Sequence, residues 1–120
     1  MTTVAKKHME KRAAPTQNRS IIIHPKALEA VEQVAQKKGW SRNQGIRYFF
    51  EYALKKYGQS SKKDLPAPEK VPWEHQINFR FPTEVLDELN NIAVEHRWST
   101  NKAAQALIQK YLIKWVNDQG

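Results

Sequence analysis

Cysteine is absent from all 120 residues, which excludes disulfides, thiolate nucleophiles and thiolate metal sites and is compatible with a reducing compartment. Glycine occurs only four times and never in a cluster, so no glycine-rich loop is available to cradle phosphates. Long apolar runs are missing too. None approaches the roughly 20 residues that cross a bilayer, and MTTVAKKHMEKR has no apolar stretch behind its basic residues. The expectation is a cytoplasmic protein that does not enter membranes. Acidic residues are also in short supply, 12 against 20 Lys plus Arg, giving a formal charge of +8 and a pI near 9.8. That excess favours an anionic partner, nucleic acid or an acidic surface. The 40% hydrophobic content is enough for one modest core.

The basic excess is uneven. Residues 1–17 carry four basic and one acidic side chain and 18–58 carry eight and three, whereas 76–120 carry five of each. Sliding the chain against itself by 58 positions superimposes Leu28 on Leu86, Ala35 on Ala93, Trp40 on Trp98, Ser41 on Ser99, Asn43 on Asn101 and Leu54 on Leu112. The apolar rhythm between these matches is kept. The chain therefore divides into a flexible basic arm (1–17), a first copy (18–58), a linker (59–74) and a second copy (75–116). The linker is marked by Gly, Ser and three Pro in GQSSKKDLPAPEKVPWE.

Each copy reads as a short strand, a helix, a tight turn and a second helix. INFRF alternates, placing Ile77, Phe79 and Phe81 on one face and Asn78 and Arg80 on the other. The following helix carries Leu86, Leu89, Ile92 and Ala93 at helical spacing, matched by Leu28, Val31, Val34 and Ala35 in the first copy. Gly39 is a natural left-handed helix end, and Ser41 is a good N-cap for the next helix. The second copy keeps the serine, Ser99, but has Arg97 in the glycine's place, which predicts a strained or differently closed end. The second helices bury Ile46, Phe49, Phe50, Ala53, Leu54 and Tyr57, matched by Ala104, Leu107, Ile108, Tyr111, Leu112 and Trp115. A copy of about 40 residues cannot offset its conformational entropy alone. The two are expected to bury their faces against each other, with the two strands pairing antiparallel over four helices.

The order strand, helix, turn and serine-started helix with an Asn two residues on resembles the ribbon-helix-helix family of DNA-binding proteins, the superfamily of Arc, MetJ and CopG. INFRFPTEVLDELNNIAVEHRWSTNKAAQALIQKYL is the closer match and RSIIIHPKALEAVEQVAQKKGWSRNQGIRYFFEYAL the looser one; together they cover about three quarters of the chain. Two copies in one chain resemble the single-chain arrangement of TraY-like and VirC2-like conjugation and DNA-transfer proteins. The resemblance implies a mostly α fold with a two-stranded antiparallel ribbon, the tandem copies forming an intramolecular pseudo-dimer. It also implies a ribbon that enters the major groove while the second helices hold phosphates at their N-termini.

On that reading Gln76, Asn78 and Arg80 would read base edges, Arg suiting guanine and Asn or Gln suiting adenine. A merely solvated polar face is the plain alternative. In the first copy the 58-residue offset turns Ser20 and Ile22 outward in place of Asn78 and Arg80; aligning Pro25 with Pro82 would turn Ile21 and Ile23 outward instead. The offset is preferred because Ile23 to Leu28 and Phe81 to Leu86 then share one spacing. Arg19, with Ser41, Arg42 and Asn43 in the first copy and Ser99, Thr100, Asn101 and Lys102 in the second, are the phosphate candidates. Plain N-capping is their alternative role. Lys6, Lys7, Lys11 and Arg12 of the arm would track the backbone or serve only solubility. Trp40 and Trp98 are expected to pack, and Trp115 to join the core.

The four histidines lack ligand spacing, and no carboxylate pair or nucleophile–base set is present, so neither metal, cofactor nor enzymatic activity is expected. The functional expectation is a sequence-specific double-stranded DNA-binding protein of the bacterial cytoplasm, nucleoid- or plasmid-associated. It would act in transcription regulation or in plasmid and transfer-origin DNA processing, as a monomer that can associate further on DNA and with other DNA-processing or regulatory proteins. Two other classes compete with it: an antitoxin-like protein-interaction module, whose extensions fold on a partner, and a single-stranded nucleic-acid binder using Trp and basic residues.

Overall fold

Strand β1 (Thr16–Ile22) and strand β2 (Gln76–Pro82) are too short to stand alone, and each supplies the other's backbone partner as an antiparallel pair. The computed structural model describes residues 16–60 and 65–119. It is mostly helical: α1 (Pro25–Lys38), α2 (Arg42–Gln59), α3 (Thr83–His96) and α4 (Thr100–Gln119) form one layer, and the two-stranded sheet lies on it. Ser20 pairs with Asn78, next to the middle pair of the ladder, and these two residues are 58 positions apart. That separation is also the offset of the sequence repeat.

Alternation on the strands sorts their faces. Ile21, Phe79 and Phe81 are buried against the helices, together with Ile23 just beyond β1, while Asn18, Asn78 and Arg80 are exposed. The burial of Ile21 and Ile23, at 2% and 1% exposure, selects the offset alignment over the one that matched Pro25 to Pro82. Beneath the sheet, Phe50 meets Phe81 edge-on at 5.6 Å, and Phe49 meets both Phe50 at 5.1 Å and Trp115 at 5.7 Å. Val31, Ile46, Leu89 and Leu107 are fully buried around them. Of the core residues expected from helical spacing, only Leu28 is half-exposed.

The helix ends follow their chemistry. α1 stops at Gly39, whose φ of 72° suits a residue without Cβ, and Trp40 N–H donates to Ala35 C=O at 2.8 Å. α3 stops at Arg97 in the same left-handed conformation, φ 58°, with Trp98 N–H donating to Ala93 C=O at 2.8 Å. The second end is therefore closed like the first, and Arg97 carries the Cβ strain that glycine avoids. Gly45 has a different duty: a Cβ there would come within 3.1 Å of both Ala35 Cβ and Val31 Cγ1, so its absence lets α2 lie close on α1.

Two boundaries and the placement of the linker add to the sequence reading. β1 begins at Thr16, inside the expected arm, because β2 is long enough to pair with it as far as Pro82. α4 runs on to Gln119. The linker is laid down rather than loose: Leu65 is 4% exposed within the core, and the Gln109 side chain holds Glu69 by accepting from its N–H at 2.9 Å and donating to its C=O at 3.0 Å. Trp73–His75 form a single 3₁₀ turn before β2. The arm residues Lys6, Lys7, Lys11 and Arg12 lie outside the described residues.

Candidate nucleic-acid interface

The outer face of the sheet carries two rows of three side chains, and the register sets each against its neighbour: Asn18 beside Arg80, Ser20 beside Asn78, Ile22 beside Gln76. All five base-reading candidates thus share one face. Asn18 is a sixth that the sequence reading missed. The signal was present, since the 58-residue offset places Asn18 on Gln76, but an exposed polar run without alternating apolar residues does not announce a strand. One end of the face is Asn18 with Arg80, rich in hydrogen-bonding groups. The other is Ile22 with Gln76, half apolar. Ile22 and Arg80 occupy corresponding positions of the two copies, so the face is polarised from end to end.

At the centre, the Ser20 hydroxyl donates to Asn78 Oδ1. An amide oxygen has two lone pairs, so Asn78 keeps one acceptor site and its amide donors for another partner. Arg80 is exposed, and both of its backbone polar groups are held from the side. Asn43 Nδ2 donates to Arg80 C=O at 2.8 Å, and Arg80 N–H donates to Asn43 Oδ1 at 2.7 Å. On the opposite edge Asn101 accepts from Ile22 N–H at 3.0 Å and donates to Ser20 C=O at 3.3 Å. Each strand has one free edge, and an asparagine from the first turn of a helix closes each one. These clamps fix the N-termini of α2 and α4 against the two flanks of the ribbon. In this geometry the Asn43 and Asn101 amides bind the ribbon, and a phosphate at those helix ends would meet backbone N–H groups instead.

The remaining phosphate candidates gather at the same two places. Ser41 forms a capping box: its hydroxyl accepts from Gln44 N–H at 3.1 Å and Gln44 Oε1 accepts from Ser41 N–H at 2.9 Å. Ser99 caps α4 by accepting from Lys102 N–H at 3.1 Å, and Lys102 in glutamine's position leaves the reciprocal bond out of that pattern. Lys102 Nζ lies 5.7 Å from the centre of the Trp98 ring. The exposed Arg42 lies 5.7 Å from the Phe79 ring centre. Arg19 points away from the outer face of the sheet, since it stands opposite Phe79 on the helix side. There it lines a shallow cavity with Gln17, Asp87 and Thr100, beside the first turn of α4. Thr100 Oγ1 donates to Asn90 Oδ1 at 3.1 Å. The helix dipole places partial positive charge at both N-termini, and neither first turn carries an acidic residue.

The aromatic residues flanking the turns are packed. Trp40 meets Tyr48 edge-on at 4.6 Å, and Trp98 stacks on His96 at 4.5 Å. Among the described residues no group of three or more His, Asp or Glu is placed to hold a metal ion, and no helix is long and apolar enough to cross a membrane. The raised phenols lie elsewhere. Tyr52 is pushed up to about 12 by its 2.7 Å hydrogen bond to Asp118 and by burial, Tyr57 to about 12 by burial and Glu95. Comparison with protein-family models, with curated proteins and with solved structures returned no match.

Proposed function

We propose that the chain is a tandem ribbon-helix-helix protein whose two copies form one intramolecular pseudo-dimer, and that it binds double-stranded DNA sequence-specifically through its ribbon. The observation that carries this reading is the register. Ser20 pairs with Asn78 across the 58-residue repeat, the pairing that an approximate two-fold between the copies would require at its axis. A two-stranded ribbon fits a major groove, and Arg80, Asn78, Gln76 and Asn18 have the donors and acceptors that base edges match. Helix N-termini flank the ribbon on both sides, where the phosphates bordering the groove would lie. Ile22 offers an apolar contact to a thymine methyl. The target is then an asymmetric site, with a polar-reading half and a weaker apolar one.

The biological role that fits is regulation of transcription, or accessory work at a plasmid or transfer origin with other DNA-processing proteins. Gel shifts with duplex and single-stranded probes over a salt series test the binding mode. The duplex is expected to win, and Arg80→Ala is expected to lose discrimination at a few base pairs, each worth roughly 1–3 kcal/mol. Lys102→Ala should weaken all sequences alike and flatten the salt dependence by about one phosphate contact. Unchanged site preference in Arg80→Ala, or preference for the single strand, refutes ribbon readout.

A further inference from the structure

The ribbon is not centred on its own clamps. Asn43 Oδ1 accepts from Arg80 N–H at 2.7 Å and Asn101 Oδ1 accepts from Ile22 N–H at 3.0 Å. Arg80 and Ile22 each stand one outward-facing place from the Ser20–Asn78 pair, on opposite sides of it, so the first turns of α2 and α4 are tied to the ribbon at matching positions about that pair. The ladder does not share this balance. Beyond Ser20–Asn78 it runs four pairs at one end, to Thr16–Pro82, and only two at the other, to Ile22–Gln76.

What precedes each strand accounts for the difference. Pro72 C=O accepts from His75 N–H at 3.1 Å and curls residues 73–75 into the 3₁₀ turn, which takes Glu74 out of line with His24, the residue that the register would set against it. Thr16 to Arg19 stay extended. Burial gives β1 little reason to be long at this end. Thr16, Gln17, Asn18 and Arg19 are all exposed, and the buried residues there, Phe79 and Phe81, come from the partner strand.

Alternation puts Thr16 on the outer face, in line with Asn18, Ser20 and Ile22. Its hydroxyl can donate and accept, so it can pair with the edge of any base. Successive outward residues of a strand lie about 7 Å apart and base pairs rise about 3.4 Å each, so one outward place spans about one to two base pairs along the inclined groove. From Ser20–Asn78 the outer face extends two such places past Arg80's side and one toward Gln76. The shorter end is also the half-apolar one.

Given the ribbon readout proposed above, on which this depends, we propose that the base pairs read are displaced from the midpoint of the phosphate contacts toward the Arg80 end, with the Thr16 hydroxyl as the outermost reader. The test uses the full chain and the duplex it selects from a random pool. Ethylation interference is expected to mark phosphates in two groups about a common midpoint. Missing-base interference is expected to mark bases that reach about one to two base pairs farther from that midpoint on one side. Arg80→Ala identifies that side, because it loses discrimination at the base pairs next inward. Thr16→Val should weaken binding to the selected duplex about 2- to 10-fold, the range of one neutral hydrogen bond, and abolish the penalty for changing the outermost base pair on the long side. Thr16→Ser keeps the hydroxyl and should keep that penalty. Base contacts reaching equally far on both sides, or farther on the Ile22 side, overturn the displacement and leave ribbon readout standing, as does a penalty that survives Thr16→Val. Binding without any base preference refutes ribbon readout, and the displacement with it.

Discussion

Asn43→Ala isolates what holds the ribbon in place. The Asn43 amide makes two hydrogen bonds to the Arg80 backbone, at 2.8 and 2.7 Å, and no charge is involved. A hydrogen bond of this kind contributes about 0.5–1.5 kcal/mol net, because water takes over when it is lost. Arg80 is exposed, so water can reach both freed groups, and the pair together is expected to stabilise the fold by about 1–2 kcal/mol. With a urea slope of roughly 1–3 kcal/mol per molar, the unfolding midpoint should fall by about 0.5–1 M, followed by far-UV circular dichroism. Since the bonds end on backbone atoms, Arg80→Ala alone should barely move the midpoint, and its effect should add to that of Asn43→Ala rather than replace it. Asn101→Ala, whose bonds reach the half-buried Ile22, is the companion and should cost at least as much. A midpoint unmoved by Asn43→Ala would refute the clamp and return the side chain to a role on phosphate.

Relief of the left-handed strain makes Arg97→Gly more stable by about 0.5–1 kcal/mol, once glycine's greater freedom in the unfolded chain is subtracted; thermal melting checks the sign. Trp115→Ala opens a cavity beside Phe49 and should cost about 3–5 kcal/mol in urea unfolding. Ile22→Arg gives both ends of the reading face an arginine, and selection from a random duplex pool should move toward more symmetric sites. Tyr52 and Tyr57 have phenols raised from 10.0 to about 12 in the fold, so the stability they add is fully present below pH 10. It declines as pH rises from there and is gone once pH passes about 12. Alkaline unfolding in that window should be blunted in Tyr52→Phe/Tyr57→Phe.

Much of the architecture is visible in the chain because it is written twice: matching apolar positions such as Val31 and Leu89, or Phe49 and Leu107, locate the helices and their inner faces without any partner being known. What escaped is what depends on the partner. Thr16 to Arg19 have no apolar alternation, and they are a strand only because β2 lies beside them. Asn43 and Asn101 sit where a phosphate contact or a cap is the local expectation; their grip on a strand edge 37 and 79 residues away has no local signature. Leu65 looks like one apolar residue in a proline-rich linker, and its burial depends on α4 being within reach. The replacement of glycine by Arg97 correctly signalled strain, but the geometry is set by the turn that Trp98 completes.

The pairing of residues 16–22 with 76–82 also fixes an order of events. During synthesis, at roughly 5–20 residues per second, β1 waits several seconds for the strand that completes it. Through that interval Ile21, Ile23 and the apolar side of α1 and α2 have no cover, and the unpaired edge of β1 is open to any other extended chain. The half that is made first is therefore the half exposed to misassociation. Substitutions that speed translation of residues 59–82, or place a charge on β1's helix side, should alter yield of the folded protein before they alter its stability.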